Sequence, residues 1–158
     1  MKRIMVNTTS ILIVDDDETI LAVLKEILEL DGYTVETAAT GKEAIEKSET
    51  IFFNLSMLDI KLPDMDGTEL IPKLHKANPQ MIKIIITGFP SFDNAVKSLN
   101  LGADAYITKP VNSKELLELV AEKIREQQAA SQIDEDRVSD WVNGKIRQIE
   151  QEQHKRRS

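Results

Sequence analysis

A chain of 158 residues, 41% hydrophobic and 30% charged, is long enough for one domain with a true core and a short appendage. It has no cysteine, which excludes disulfides, zinc-thiolate sites and thiol catalysis, and its two histidines, His75 and His154, are too far apart in sequence to suggest a histidine metal site. A net charge of -7 argues against sequence-independent nucleic-acid binding, and no apolar run is long enough to span a bilayer.

Met1-Lys2-Arg3 is basic, but Asn7-Thr8-Thr9 interrupts anything like a signal-peptide core, so the expected location is cytoplasmic. Ile11 to Val14 is a continuous apolar, β-branched run stopping at Asp15-Asp16-Asp17, which reads as a strand buried on both faces. Ile20, Val23, Leu24, Ile27 and Leu28 then recur at helical spacing, with Asp16 or Asp17 as N-cap and Asp31-Gly32 as the stop. Tyr33 to Ala38 gives a second strand, and Thr40 with Glu43 makes a capping box for a helix that turns Ala44 and Ile45 inward.

Asn54 to Leu58 reads as a third strand delivering Asp59 at its carboxyl end. Pro63 forbids the strand from continuing, and Asp66-Gly67 closes a turn before a third helix with Leu70, Ile71 and Leu74 inside and Pro72 in its early turns. Ile82 to Ile86 is a fourth strand ending at Thr87-Gly88. A fourth helix follows, with Phe92, Ala95, Val96 and Leu99 assigned to its inner face. Ala103 to Thr108 is a fifth strand ending at Lys109-Pro110, and from Asn112 or Ser113 a fifth helix buries Leu116, Leu117, Val120 and Ile124. A further helical pattern starts at Asp134-Glu135-Asp136 and ends in His154 to Arg157, with Val138, Trp141, Val142, Ile146 and Ile149 as its apolar stripe.

Five strands alternating with helices predict a doubly wound parallel sheet, and right-handed crossovers place every strand end along one edge. That edge collects Asp15 and Asp16, Asp59, Thr87 and Lys109. Three converging carboxylates repel unless a cation lies between them, and hard oxygen donors suit Mg²⁺. With the hydroxyl of Thr87 and the ammonium of Lys109, the set can neutralise a phosphoryl group and present Asp59 as attacking carboxylate. Each residue alone has a plainer use: Asp16 or Asp17 as helix cap, Thr87 in a turn, Lys109 in solvent.

Val14-Asp15-Asp16, Leu58-Asp59-Ile60-Lys61-Leu62-Pro63-Asp64-Met65-Asp66-Gly67, Thr87-Gly88 and Thr108-Lys109-Pro110 resemble the receiver domain of two-component response regulators, over about residues 9 to 130. The resemblance implies a flavodoxin-like sheet of order 2-1-3-4-5. It implies that Asp59 takes phosphate from a sensor histidine kinase, with Mg²⁺ held by Asp16, Asp59 and the backbone carbonyl of Lys61, and with Asp15 acting through water. It also implies that Thr87 and Lys109 contact the phosphoryl group, and that Tyr106 rotates inward as Thr87 moves. Thr87-Gly88-Phe89-Pro90-Ser91 and the trailing helix are similar to stand-alone archaeal receivers.

The expectation is therefore a phosphorylated switch and no enzyme with a separate substrate, divided into a receiver (9–130) and an amphipathic helix (131–158) with no separate output domain. Expected partners are the kinase and a downstream protein or second response regulator, met through the face of the fourth helix, fifth strand and fifth helix. Direct contact with nucleic acid or membrane is not expected. A homodimer would use that face or the C-terminal helix, whose alternatives are packing back on its own domain or docking a partner. The competing reading is a haloacid-dehalogenase-type phosphatase, for which Asp15-Asp16-Asp17 supplies Asp15 as nucleophile and Asp17 as general acid.

Overall fold

The computed structural model describes residues 8–157; the basic Met1-Lys2-Arg3 opening lies outside them. Ten elements follow in order: β1 (Ser10–Val14), α1 (Glu18–Leu30), β2 (Thr34–Ala38), α2 (Gly41–Thr50), β3 (Leu55–Leu58), α3 (Gly67–Ala77), β4 (Ile82–Thr87), α4 (Phe92–Asn100), β5 (Ala105–Thr108) and α5 (Ser113–Arg157). The strands form one parallel sheet ordered β2-β1-β3-β4-β5, the doubly wound flavodoxin-like arrangement that the alternation predicts.

The sheet separates two apolar layers because successive side chains point to opposite faces. On one side Ile11, Ile13, Ile84 and Ile86 meet Leu24 and Leu28 of α1 and Leu116 and Val120 of α5. On the other, Leu12, Val14, Leu58 and Ile85 meet Ala44 of α2 and Leu70, Ile71 and Leu74 of α3. The central strands are buried on both faces, as their unbroken apolar runs require.

Local chemistry sets the element ends. Asp17 caps α1, its carboxylate accepting from the N–H groups of Thr19 at 2.9 Å and Ile20 at 3.3 Å. Gly32, at φ 97°, takes the left-handed conformation that ends the helix. Thr40 accepts from the Glu43 N–H at 3.0 Å, while Glu43 reaches back to the Ala39 N–H at 2.7 Å, one residue beyond the usual capping box.

Two helical faces and one helix boundary differ from the reading by periodicity. In α1 the buried positions are Leu21, Leu24 and Leu28, and Val23 is half exposed. In α4 the buried residue is Ser98, whose hydroxyl donates to the Asn94 carbonyl at 2.7 Å; Phe92, Val96 and Leu99 face outward, Phe92 at 82% exposure. The apolar stripe of α4 is real, but it is directed away from the sheet. The helical pattern read as starting at Asp134 is continuous with the fifth helix, since no glycine or proline interrupts it between Ser113 and Asn143.

Two compact units meet between Ile124 and Arg125. The first contains the sheet and its helices. The second is the remainder of α5, on which Val138, Trp141, Val142, Ile146 and Ile149 are exposed. No described helix is long and apolar enough to cross a membrane.

Candidate functional site

Parallel register brings the carboxyl ends of four strands to one edge. Val14 pairs with Leu58, and Thr87 with Thr108. The ladder then runs one residue further: the Asp15 N–H donates to Ala38, that of Asp59 to Val14 at 2.9 Å, and that of Lys109 to Thr87 at 2.8 Å. Asp15, Asp59 and Lys109 are therefore fixed by backbone bonding at the first position beyond each strand.

Their side chains meet. The Lys109 Nζ donates to Asp15 Oδ2 at 2.6 Å and to Asp59 Oδ2 at 3.3 Å. Asp15 and Asp59 are buried, and Asp15 Oδ1 is held by the Asp17 N–H at 2.9 Å. Asp16 is exposed at the rim. One carboxylate oxygen each from Asp15, Asp16 and Asp59 lie within 4.8 Å of one another, a grouping of hard oxygen donors that fits a divalent cation.

The electrostatics show why the pocket wants positive charge. Burial pushes the Asp59 carboxyl above its ordinary value; the Lys109 charge pulls it back only in part, and Asp15 pushes the same way as burial. Burial alone would lower the Lys109 ammonium, but its hydrogen bond to Asp15 and the charges of Asp59 and Asp15 outweigh that and raise it. Lys109 is held cationic between two acids, and with Asp16 the pocket still has three carboxylates against one amine.

The loop after β3 is pinned at several points. The Gly67 N–H donates to the Ile60 carbonyl at 2.6 Å, and Lys61 bridges to Asp66. A Cβ at Gly67 would collide with the Asp59 carbonyl, so this close approach requires glycine. Asp64, which the sequence reading left without a role, accepts from the N–H groups of Gly41 and Lys42 at 2.9 Å each and ties the loop to the start of α2. Those two bonds hold its carboxyl below the ordinary range. Contact across 23 residues leaves no local signature in sequence. Lys61 is thereby held beside Asp59, its N–H 3.4 Å from Asp59 Oδ1 and its ammonium 3.8 Å from the centre of the Phe89 ring.

Thr87 is fully buried, and its Oγ accepts from the Phe89 N–H at 3.0 Å. Tyr106 pairs with Ile85 across the strands and joins the layer containing Leu58 and Ile85; its hydroxyl is buried with no hydrogen-bond partner among the described residues. Asn54, read as the first residue of the third strand, lies just before β3, and its side chain accepts from the Ser10 N–H at 2.9 Å, tying that end to β1. Asp17, the general acid of the phosphatase reading, spends a carboxylate oxygen on capping α1.

Comparison with known proteins follows the same lines. The response regulator receiver domain family matches residues 11–121. The alkaline phosphatase synthesis transcriptional regulatory protein PhoP of Bacillus subtilis is 36% identical over 136 residues, covering 86% of this chain and 56% of that protein, so the chain spans about half the length of this curated relative. A response regulator receiver domain protein (CheY-like) from Methanospirillum hungatei JF-1 is 56% identical, with a TM-score of 0.77 over 78% of this chain and 99% of that one. A response regulator protein from Burkholderia pseudomallei, solved with a phosphorylated aspartic acid, calcium ion and citrate, is 30% identical, with a TM-score of 0.69 over 78% of this chain and 72% of that one.

Proposed function

Because this chain belongs to the response regulator receiver domain family, we propose that Asp59 is its phosphoacceptor and that a sensor histidine kinase is its donor. The observation that carries the reading is the buried Asp59 carboxylate held 3.3 Å from the Lys109 ammonium inside a three-carboxylate cluster. In the transfer, an Asp59 oxygen attacks phosphorus, the bond from phosphorus to the kinase imidazole breaks, and the leaving nitrogen takes up a proton. Hydrolysis reverses the modification: water attacks phosphorus and Asp59 leaves as a carboxylate.

Lys109 and Thr87 act on the phosphoryl oxygens, the ammonium by charge and the hydroxyl by donating a hydrogen bond. Asp16, Asp59 and the Lys61 backbone carbonyl would hold Mg²⁺, with Asp15 acting through water. That ion would neutralise phosphoryl oxygens when bound. The Mg²⁺ assignment is supported by the hard, all-oxygen donor set and by the fixed Ile60–Gly67 turn that presents Lys61.

Phosphorylation adds about two negative charges. To reach them Thr87 must give up the Phe89 N–H, and the neighbouring Tyr106 ring adjusts to the space Thr87 leaves. The outward Phe92, Val96 and Leu99 of α4 lie on the face that we assign to a downstream protein or a second response regulator. In this reading residues 9–130 are the receiver, 131–158 are an appended helix, and no separate substrate is turned over.

Incubation with acetyl phosphate and Mg²⁺, followed by mass spectrometry, should give one phosphoryl adduct on Asp59 that is absent from Asp59→Asn. An adduct mapped to Asp15 would replace this reading with the phosphatase one.

A further inference from the structure

The second compact unit, the part of α5 from Arg125 onward, exposes an apolar seam whose spacing is informative. Val138, Val142, Lys145 and Ile149 alternate at four, three and four residues, the heptad rhythm of a two-helix contact, with Trp141 and Ile146 on its flanks. All five apolar residues of this set are between 40% and 65% exposed. One amphipathic helix cannot cover such a seam by itself.

The charge along the same unit is polarised. Residues 134–140 carry Asp134, Glu135, Asp136 and Asp140 against a lone Arg137, a balance of -3. Residues 145–157 carry Lys145, Arg147 and the Lys155-Arg156-Arg157 run against Glu150 and Glu152, a balance of +3 with His154 neutral. We propose that this segment pairs antiparallel with the same segment of a second copy of the chain. Centred between Asn143 and Gly144, antiparallel alignment sets Asp140 opposite Arg147 and Arg137 opposite Glu150 of the other copy, whereas parallel alignment sets every charge against its like.

The seam supports the same direction. Centred between Asn143 and Gly144, antiparallel pairing opposes Val138 to Ile149 and Val142 to Lys145 of the other copy, an isologous arrangement. The Lys145 stem then covers Val142 while its ammonium stays at the edge, on the side where it already sits 5.8 Å from the Trp141 ring centre. Parallel pairing would instead bury Lys145 against Lys145. Glu135 opposes Glu152 in the antiparallel register and ends the seam there. The proposal does not depend on phosphorylation of Asp59.

Because the chain has no cysteine, introduced cysteines report on direction directly. Under mild oxidation, Val138→Cys mixed with Ile149→Cys should give a disulfide-linked dimer, while either variant alone should not. Val138→Cys linking to itself would show parallel pairing and overturn the proposal. Sedimentation equilibrium of the full chain should show a dimer that high salt weakens and that Val142→Asp weakens about tenfold or more. Val142 is 40% exposed, so the domain should fold with the substitution. A monomer at every concentration, or a dimer indifferent to Val142→Asp, would sink the idea.

Discussion

The two edges of the sheet each hold a lysine near an aspartate, half-buried Lys109 at one and buried Lys83 at the other, and they do so to different ends. At the carboxyl edge, Lys109 bridges two buried carboxylates beside a third, leaving negative charge over. At the amino edge, Lys83 is 3% exposed and donates from Nζ to the Met81 carbonyl at 2.7 Å. Its backbone is tied in both directions to Asp104: the Lys83 N–H donates to Asp104 Oδ2 at 2.8 Å, and the Asp104 N–H to the Lys83 carbonyl at 2.7 Å. At the amino edge one lysine stands near one exposed aspartate, and the Lys83 amine is satisfied by the Met81 carbonyl. Buried charge as such does not mark a site; the surplus of one sign does, because it is completed only by something that binds.

The largest effect should come from breaking the carboxyl edge. Lys109→Met leaves Asp15 and Asp59 buried without their ammonium, and removing one partner of a buried ion pair costs about 3 kcal/mol or more. Urea unfolding in chelator should show that loss, and added Mg²⁺ should recover part of it. An unchanged midpoint would mean that solvent already pays for these charges and that the contrast between the edges is superficial.

Most of the carboxyl edge was legible because strand ends carry strong local signals. A β-branched run stopping at Asp15-Asp16, Pro63 after Asp59, and a lysine followed by Pro110 mark their positions without reference to the rest of the chain. The α4 face was not legible. Periodicity reveals that Phe92, Val96 and Leu99 share a side, but which side meets the sheet depends on Asn94, Ala95 and Ser98 being small enough to approach it. Lys83 was overlooked although it left a trace: a lysine second in a strand apolar on both faces has nowhere to go but inward. Asp64 had no trace at all, because its partners lie at the start of another helix.

The amino edge offers a smaller effect of opposite sign. Burial lowers the Lys83 ammonium from its ordinary value, and the charge of Asp104 restores only part of the shift. Between the lowered folded value and the ordinary unfolded one, the unfolded chain binds more protons, so wild-type stability rises with pH across that window. Lys83→Met removes the burial cost and should stabilise the protein by about 1 kcal/mol at neutral pH, since Asp104 keeps its bond to the backbone N–H. The gain should shrink as pH climbs toward the ordinary lysine value. If it is constant with pH, or if the variant is less stable, the amine contributes more through Met81 than its burial costs.

The smallest effect tests an orphan hydroxyl on β5. Among the described residues the Tyr106 hydroxyl is enclosed without a hydrogen-bond partner, whereas the Lys83 amine has the Met81 carbonyl. Deleting an unsatisfied buried hydroxyl while keeping the ring removes a desolvation cost, so Tyr106→Phe should raise stability by about 0.5 kcal/mol in thermal or urea unfolding. It should leave acetyl-phosphate labelling of Asp59 intact, because the hydroxyl makes no bond into the pocket. Tyr106→Ala removes the ring itself from the layer containing Leu58 and Ile85 and should uncouple labelling from binding at the α4 face. A stability loss in Tyr106→Phe would show that the hydroxyl does find a partner. Full coupling in Tyr106→Ala would remove the aromatic ring from the switch.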